Sequence, residues 1–329
     1  MSRKSLMISA ALVGLMAAAP AMAKGGGALY QLPLVAGSTE TIAFGVTDKQ
    51  TITGYSLNSS GIEIGFVGPA DGSNYTSFND DPTGGTQPRG INKKGYITGI
   101  DDPAGSSVAD YIPYERSPDG TITDVTMDGT PLNYLVQGIN KKGVFSGSYE
   151  DVSGNIFGYT GQNAQYKKSI TLPGITTTAI AGRGINDKGD VVGWYADASG
   201  VQHGFLLSGK KVTTIDDPAG VTNLEGINNK GEISGLYTDA SGSRHGFIYD
   251  IKSHAFTELT IPDDTYVEVW GINDKGVVAL DGTNPTGVFT GYLYCPKAND
   301  CPRGALAFEP GTAPALHHSR IPISSRNSP

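Results

Sequence analysis

The hexapeptide GINDKG occupies positions 184–189 and returns unchanged at 271–276. GINKKG starts at Gly90 and again at Gly138, GINNKG at Gly226, and a worn form, GVTDKQ, at Gly45. The spacings between the leading glycines are 45, 48, 46, 42 and 45 residues. A unit of that length cannot bury its own apolar face and must stack on copies of itself, and periods in the forties belong to four-stranded propeller blades. Twenty-one residues beyond each leading glycine stands an aromatic: Phe66, Tyr111, Tyr159, Phe205, Phe247 and Tyr292. The residue before it is Gly65, Asp110, Gly158, Gly204, Gly246 or Gly291. On this count no copy carries an insertion between glycine and aromatic, and all variation in length follows the aromatic.

Short Val/Ile/Thr/Tyr-rich runs lie between clusters of Gly, Asn, Asp and Pro, with 46 glycines in all. That pattern predicts an all-β chain. Within copy five, Gly-Ile-Asn ends a first strand, Lys-Gly makes a tight turn, and a second strand covers 232–238. A second turn at 239–242 is matched at 197–200 and 151–154. The third strand carries His245, Gly246 and Phe247, and a looser fourth covers 255–261. Asp recurs in the turns because it bonds its own backbone, Gly because it accepts positive φ. GINDKG is therefore a hairpin instruction first. If the residues flanking the four-residue turn pair, Gly54 faces Gly65, Gly147 faces Gly158, Gly193 faces Gly204 and Gly235 faces Gly246. Glycine within strands asks for a close approach, here by a neighbouring sheet. The same register sets His203 against Trp194 and His245 against Leu236, as cross-strand packing pairs.

The predicted architecture is a single six-bladed β-propeller over 24–310, with repeats starting near 45, 90, 138, 184, 226 and 271. Tyr30, Gln31, Leu32 and Pro33 resemble the fourth strand of copy five and have no first three strands of their own. An N-terminal strand here would complete the sixth blade and remove the exposed edges. Residues 305–308 compete for that place. The tail, 311–329, carries Pro, Ser and basic residues and is expected to be disordered.

Arg3 and Lys4 precede an apolar run over 6–19, and Ala21, Met22 and Ala23 form a small-x-small cleavage signal. Residues 1–23 are thus expected to be a secretory signal peptide, and the chain to be periplasmic or secreted. No later stretch has the ~18 uninterrupted apolar residues of a transmembrane helix. The formal net charge is −8, and −10 without Arg3 and Lys4. This balance argues against nucleic acid and anionic membranes as partners and suits cations or basic partners. Cys295 and Cys301, in CPKANDC, are expected to bridge in an oxidising compartment. So short a loop contributes about 2 kcal/mol on the chain-entropy model. Two cysteines without a nearby histidine make a poor metal site.

In alternating strands, the first-to-second and third-to-fourth turns share one face, and every lysine after Lys24 falls there. The opposite face receives Asp101, Asp102, Asp151, Asp197 and Asp239 from the second-to-third turns, and Asp80, Asp81, Asp216, Asp217, Asp263 and Asp264 from the links between blades. The chain reads as bipolar, acidic on one face and basic on the other. No cofactor is required. Calcium is the one that acidic loops suggest, with Asp197 and Asp239 as candidate ligands, although no EF-hand run is present. DDPAG, at 101–105 and 216–220, is a turn former. Asp110 breaks the glycine rule and puts a carboxylate where a blade contact is expected, which is expensive unless it is paired, solvated or functional. The residues before the leading glycines, Phe44, Arg89, Gln137, Arg183, Glu225 and Trp270, would crowd the central opening. Arg89, Arg183, Glu225 and Trp270, with Asp110, are the candidate ligand-binding residues. No nucleophile elbow or HExxH occurs and, after the leader, no P-loop or dinucleotide fingerprint.

Copies four and five run Gly-Ile-Asn-(Asp/Asn)-Lys-Gly, then Gly-x-Tyr-x-Asp, then Gly-x-x-His-Gly-Phe, from Gly184 to Phe205 and from Gly226 to Phe247. This resembles the HAF-type repeat of bacterial extracellular proteins, and the looser copies extend the resemblance over about 45–292. It implies an exported repeat protein and brings no established activity or catalytic residues. The expected function is non-enzymatic binding of a protein, glycan or small ligand by a monomer through one propeller face. A secreted hydrolase or lyase with loop carboxylates around the opening, or a structural surface protein, are the alternatives.

Overall fold

The structure, a computed structural model, describes residues 23–24, 27–80, 84–103, 111–127, 132–261, 266–283, 289–302 and 306–308. Residues 1–22, Asp110, Asp81, Asp263, Asp264 and residues 309–329 lie outside them. Copies one to five each fold as an antiparallel four-stranded blade, copy six gives three strands of the last blade, and the six blades form a β-propeller. The first strands are innermost. They are Ser38–Val46, Gly85–Ile91, Leu132–Ile139, Thr177–Ile185, Val221–Ile227 and Val267–Ile272. Each touches the next, and that of blade six touches that of blade one, so the ring is closed.

Closure uses both ends of the chain. Gly27–Gln31 pairs with Phe289–Cys295 as the fourth strand of blade six. Leu306–Phe308 then adds a fifth strand on its outer side. The two sequence candidates are thus successive strands, with the N-terminal one closing the ring. Ala23–Lys24 adds a parallel strand to the outer edge of blade five. Cys295 and Cys301 are bonded, with Cα atoms 5.6 Å apart. Cys295 faces Ala28 across the closing pair, and both cysteines are buried in the same apolar cluster as Ala28 and Leu32. No helix among the described residues is long and apolar enough to cross a membrane.

The register differs from the expectation by one residue. Gly54 faces Phe66, Gly147 faces Tyr159, Gly193 faces Phe205 and Gly235 faces Phe247. The cause lies in the second turn. Asp197 Oδ1 accepts the backbone N–H of Ser199 and of Val201, and Asp239 Oδ1 those of Ser241 and Ser243. With the backbone bonds Asp197 N–H to Val201 O and Asp239 N–H to Ser243 O, each such aspartate closes a three-residue loop that ends on a glycine at positive φ, one residue shorter than a simple four-residue turn. The later glycine of each pair does meet the neighbouring sheet. A Cβ on Gly246 would stand 2.6 Å from Val269 of blade six, and one on Gly204 2.9 Å from Leu224 of blade five.

Blade two also departs from the equal spacing. Gly99 faces Tyr114, which is fully buried, so Tyr114 and not Tyr111 is its core aromatic. The position before it is Pro113, opposite Ile100, and Asp110 loses the place that equal spacing gave it. An insertion therefore does fall inside this copy, between its second and third strands.

The central channel as candidate site

One feature of the inner strands builds the site. In every blade the ladder slips where the variable residue and its glycine oppose a single residue of the second strand. Ala43 faces Gly54 and Gly45 faces Thr53, leaving Phe44 without a partner. The same bulge isolates Arg89 and Glu225, and the pairs Gln137–Gly138, Arg183–Gly184 and Trp270–Gly271. A bulge bends its strand and re-aims a side chain. The isolated glycine after a variable residue was the sequence signal for it.

The letters of GINDKG now have physical reasons. The leading glycine is where successive blades come closest: a Cβ on Gly90 would stand 2.2 Å from Gln137 O, and one on Gly184 2.8 Å from Gly226 Cα. The asparagine does two jobs. Asn140 Oδ1 accepts the N–H of Lys142 and of Val144, shaping the turn, while its Nδ2 donates to Asn186 O of the next blade at 3.0 Å. The same rung joins Asn92 to Asn140, Asn186 to Asn228, Asn228 to Asn273, and Asn273 to Thr47 O. Thr47 has no amide to donate, so the ladder stops between blades one and two. The fourth letter adds a second joint. Asp187 Oδ1 accepts from Lys141 N, Asn229 Oδ1 from Asp187 N, Asp274 Oδ1 from Asn229 N, and Asp48 Oδ1 from Asp274 N. Lys93 reaches over this mouth to Asp274 (2.6 Å) and Asp48 (3.0 Å). Its hydrogen bonds to these carboxylates hold its ammonium above the usual lysine value.

The bulge residues make a ring of two halves. In one, Arg183 Nη1 donates to Gln137 Oε1 (2.8 Å), Gln137 Nε2 donates to Glu225 Oε2 (2.5 Å), and Arg183 Nε stands 3.9 Å from the same carboxylate. All three side chains are buried. Burial pushes the Glu225 carboxyl up, against the lowering effect of Arg183. In the other half the Arg89 guanidinium lies 4.6 Å from the Phe44 ring centre and 5.7 Å from that of Trp270, a cation–π arrangement. Phe44 meets Trp270 edge-on at 4.5 Å. Trp270 Nε1 donates to Asp281, Arg89 Nη2 to Gln87 Oε1 (2.7 Å), and Gln87 in turn to Glu63. Arg89 Nε is enclosed and has no hydrogen-bond partner among the described residues. Burial, and then the like charge of Arg183, push the Arg89 guanidinium down from its ordinary value. Phe44, Arg89, Gln137, Glu225 and Trp270, with the glycine and isoleucine rows, line a concavity of about 530 Å³, its open mouth included. Three of the five candidate ligand residues, Arg89, Glu225 and Trp270, line this concavity, and Arg183 is bonded to Gln137 beside Glu225. Asp110 lies outside the described residues.

Asp197 and Asp239 serve their turns with one oxygen and a histidine with the other. His203 lies 2.7 Å from Asp216 through Nδ1 and 3.6 Å from Asp197 through Nε2. His245 lies 2.9 Å from Asp239 and 3.5 Å from Glu258. Each imidazole is stacked on a tyrosine, Tyr195 at 5.1 Å and Tyr237 at 4.7 Å, and these replace the expected Trp194 and Leu236. The hydrogen bond to Asp216 raises the His203 pKa. Among the described residues no three His, Cys, Asp or Glu are grouped to hold a metal ion. The DDPAG carboxylates are also in use: Thr86 Oγ1 donates to Asp101, Ala219 N to Asp217, and Gly204 N to Asp216.

The expected sorting of charge holds for lysine and fails for aspartate. Asp48, Asp187 and Asp274 share the lysine face and pair with Lys93 and Lys141. The fourth letter of the repeat is lysine in two blades and aspartate in three, so both signs meet at this end.

No family model and no curated protein sequence matches this chain, so the HAF-type resemblance stands on the quoted residues alone. The fold superposes on TolB from Acinetobacter baumannii with a TM-score of 0.50 at 14% identity, covering 74% of this chain and 63% of that one. The chain therefore spans less than two thirds of that relative. Trypanosoma rangeli sialidase in complex with the inhibitor DANA follows at 0.43 and 10%, covering 83% and 55%. Aleuria aurantia lectin, described as a six-bladed β-propeller with a fucose recognition mode, gives 0.40 and 12%, covering 67% and 77%. At these identities the likeness shows the fold alone, and a fold does not decide between binding and catalysis.

Proposed function

We propose that this protein is a non-enzymatic binding module, exported and monomeric, that takes a small carboxylate with a flat apolar body into its central channel. The observation that carries this is where the repeat varies. Glycine, Ile or Val, and Asn or Thr recur around the ring, while the bulge in each blade aims a changing side chain at the axis. There Arg89 offers an enclosed, unpartnered Nε beside Phe44 and Trp270. A carboxylate against the part of the Arg89 guanidinium that lines the concavity would gain a charge-assisted hydrogen bond and relieve the repulsion between Arg89 and Arg183. The hydrolase or lyase alternative has less support, because the carboxylates around the channel are already held. Glu225 is engaged by Gln137 and Arg183, Asp281 by Trp270, Glu63 by Gln87, and Glu268 by Arg244 and Tyr266.

Thermal unfolding with millimolar benzoate, acetate and inorganic phosphate tests the proposal. Benzoate should raise the melting temperature most, and Arg89→Met should abolish the shift. An equal shift in Arg89→Met, or none with any probe, overturns it.

A further inference from the structure

The two ends of the ring expose different chemistry. Every lysine after Lys24 stands at the end of the first-to-second and third-to-fourth turns. All six markedly exposed large apolar side chains among the described residues stand at the other end. They are Leu34 in the link into blade one, Ile112 and Phe157 at the starts of third strands, Val152 and Val201 at second-to-third turns, and Val221 at the start of an inner strand. Single exposed aliphatics mean little, but six confined to one end mark an interaction surface. Val152 is 77% exposed and Val201 51%. Five of the six fall on consecutive blades, two to five. Phe157 is stacked on Tyr149 at 5.4 Å, and Gln202 donates to Thr222 O, which brings the neighbouring Val201 and Val221 to one joint. Between these apolar positions stand Glu150, Asp151, Asp197, Asp216 and Asp239, of which Asp197 and Asp216 face His203 and Asp239 faces His245, while the basic residues at this end are Arg244, paired with Glu268, and Lys24, on the outer edge of blade five.

We propose that this end of the ring is a docking surface for a basic, apolar segment of another polypeptide. Its aliphatic side chains lie on Val152, Phe157, Val201 and Val221, and its cationic heads meet the turn carboxylates. Charge complementarity selects this occupant: nucleic acid and anionic lipid would face the same acidic turns. A second copy of the chain fits poorly. Its lysine end has no matching exposed large apolar side chain among the described residues, and Lys93 and Lys141 there are engaged by Asp48, Asp274 and Asp187. The surface lies outside the channel, so it stands or falls independently of what the channel binds.

The test is fluorescence anisotropy of the full chain with a labelled 14-residue peptide of alternating Lys and Leu, compared with Lys/Ser and Glu/Leu peptides. The Lys/Leu peptide should bind at least tenfold tighter than Lys/Ser, and more weakly as salt rises. Glu/Leu should not bind. The triple variant Val152→Ser, Val201→Ser, Val221→Ser, whose changes are all on exposed side chains, should lose at least tenfold. Lys94→Ser with Lys142→Ser and Lys188→Ser, at the other end, should change nothing. Equal binding by the triple serine variant overturns the proposal. So does a dimer of the unchanged protein in sedimentation that the triple variant abolishes, since the occupant would then be a second copy.

Discussion

Two rings of side chains line the same channel a few residues apart. In the asparagine ring, five blades hold the same residue, and each amide both shapes its own turn and bonds the next blade. In the bulge ring, six blades hold five kinds of residue: Phe44, Arg89, Gln137, Arg183, Glu225 and Trp270. The backbone geometry of the second ring is as regular as that of the first, with a bulge in every blade, but its side chains are not. Repetition here marks what the ring needs in order to close, and variation marks what the closed ring leaves open to other uses.

Breaking the regular ring should have the largest effect. Asn140→Ala removes two accepted hydrogen bonds and one donated bond at a buried position, and at about 1 kcal/mol each should cost roughly 3 kcal/mol in denaturant unfolding. Completing that ring is the converse. Thr47→Asn supplies the missing amide toward Asn92 and should stabilise by about 1 kcal/mol, visible as a higher midpoint with an unchanged slope. If it destabilises, the gap at blade one is a requirement and not wear. In the variable ring, Arg89→Met keeps an apolar stem against Trp270 and removes a buried charge, so unfolding should change by less than about 1 kcal/mol even where ligand binding is lost. A loss as large as that of Asn140→Ala would erase the distinction between the rings.

The smallest effect concerns pH. Because burial raises the folded pKa of Glu225, the folded chain keeps this proton where the unfolded chain has released it. The associated stability is present in full below the unfolded value and is lost as pH rises through the folded one. Glu225→Gln should remove that slope, so the difference in melting temperature between the two proteins should vary between pH 4 and pH 7. A constant difference would mean that Arg183 and Gln137 fully offset the burial.

The blade count, the turns at 151–154, 197–200 and 239–242, and the closing strand were legible because period and spacing are properties of the covalent chain. So was the convergence of Arg89, Glu225 and Trp270 at the axis, since position within a repeat fixes direction. The register was not, because it depends on how many amides Asp197 and Asp239 cap, a matter of side-chain geometry. The core aromatic of blade two was missed because Tyr111 and Tyr114 are three residues apart and only burial separates them. The asparagine ladder joins different copies, and comparing copies with one another cannot reveal a bond between them.

Pairing Gly27–Gln31 with Phe289–Cys295 sets an order of events in time. A chain made from its N-terminus produces one strand of its last sheet first and the partner nearly last. Blades one to five can form from neighbouring residues, but the sixth must bring together segments separated by almost the whole chain, and the entropy of closing that loop falls on this single step. Long-range pairing of this kind is slow. Until it happens, Phe289–Cys295 is an open strand edge. Cys301 lies between Phe289–Cys295 and the outermost strand Leu306–Phe308, so its bond to Cys295 is among the last to become possible, at the point where the ring shuts.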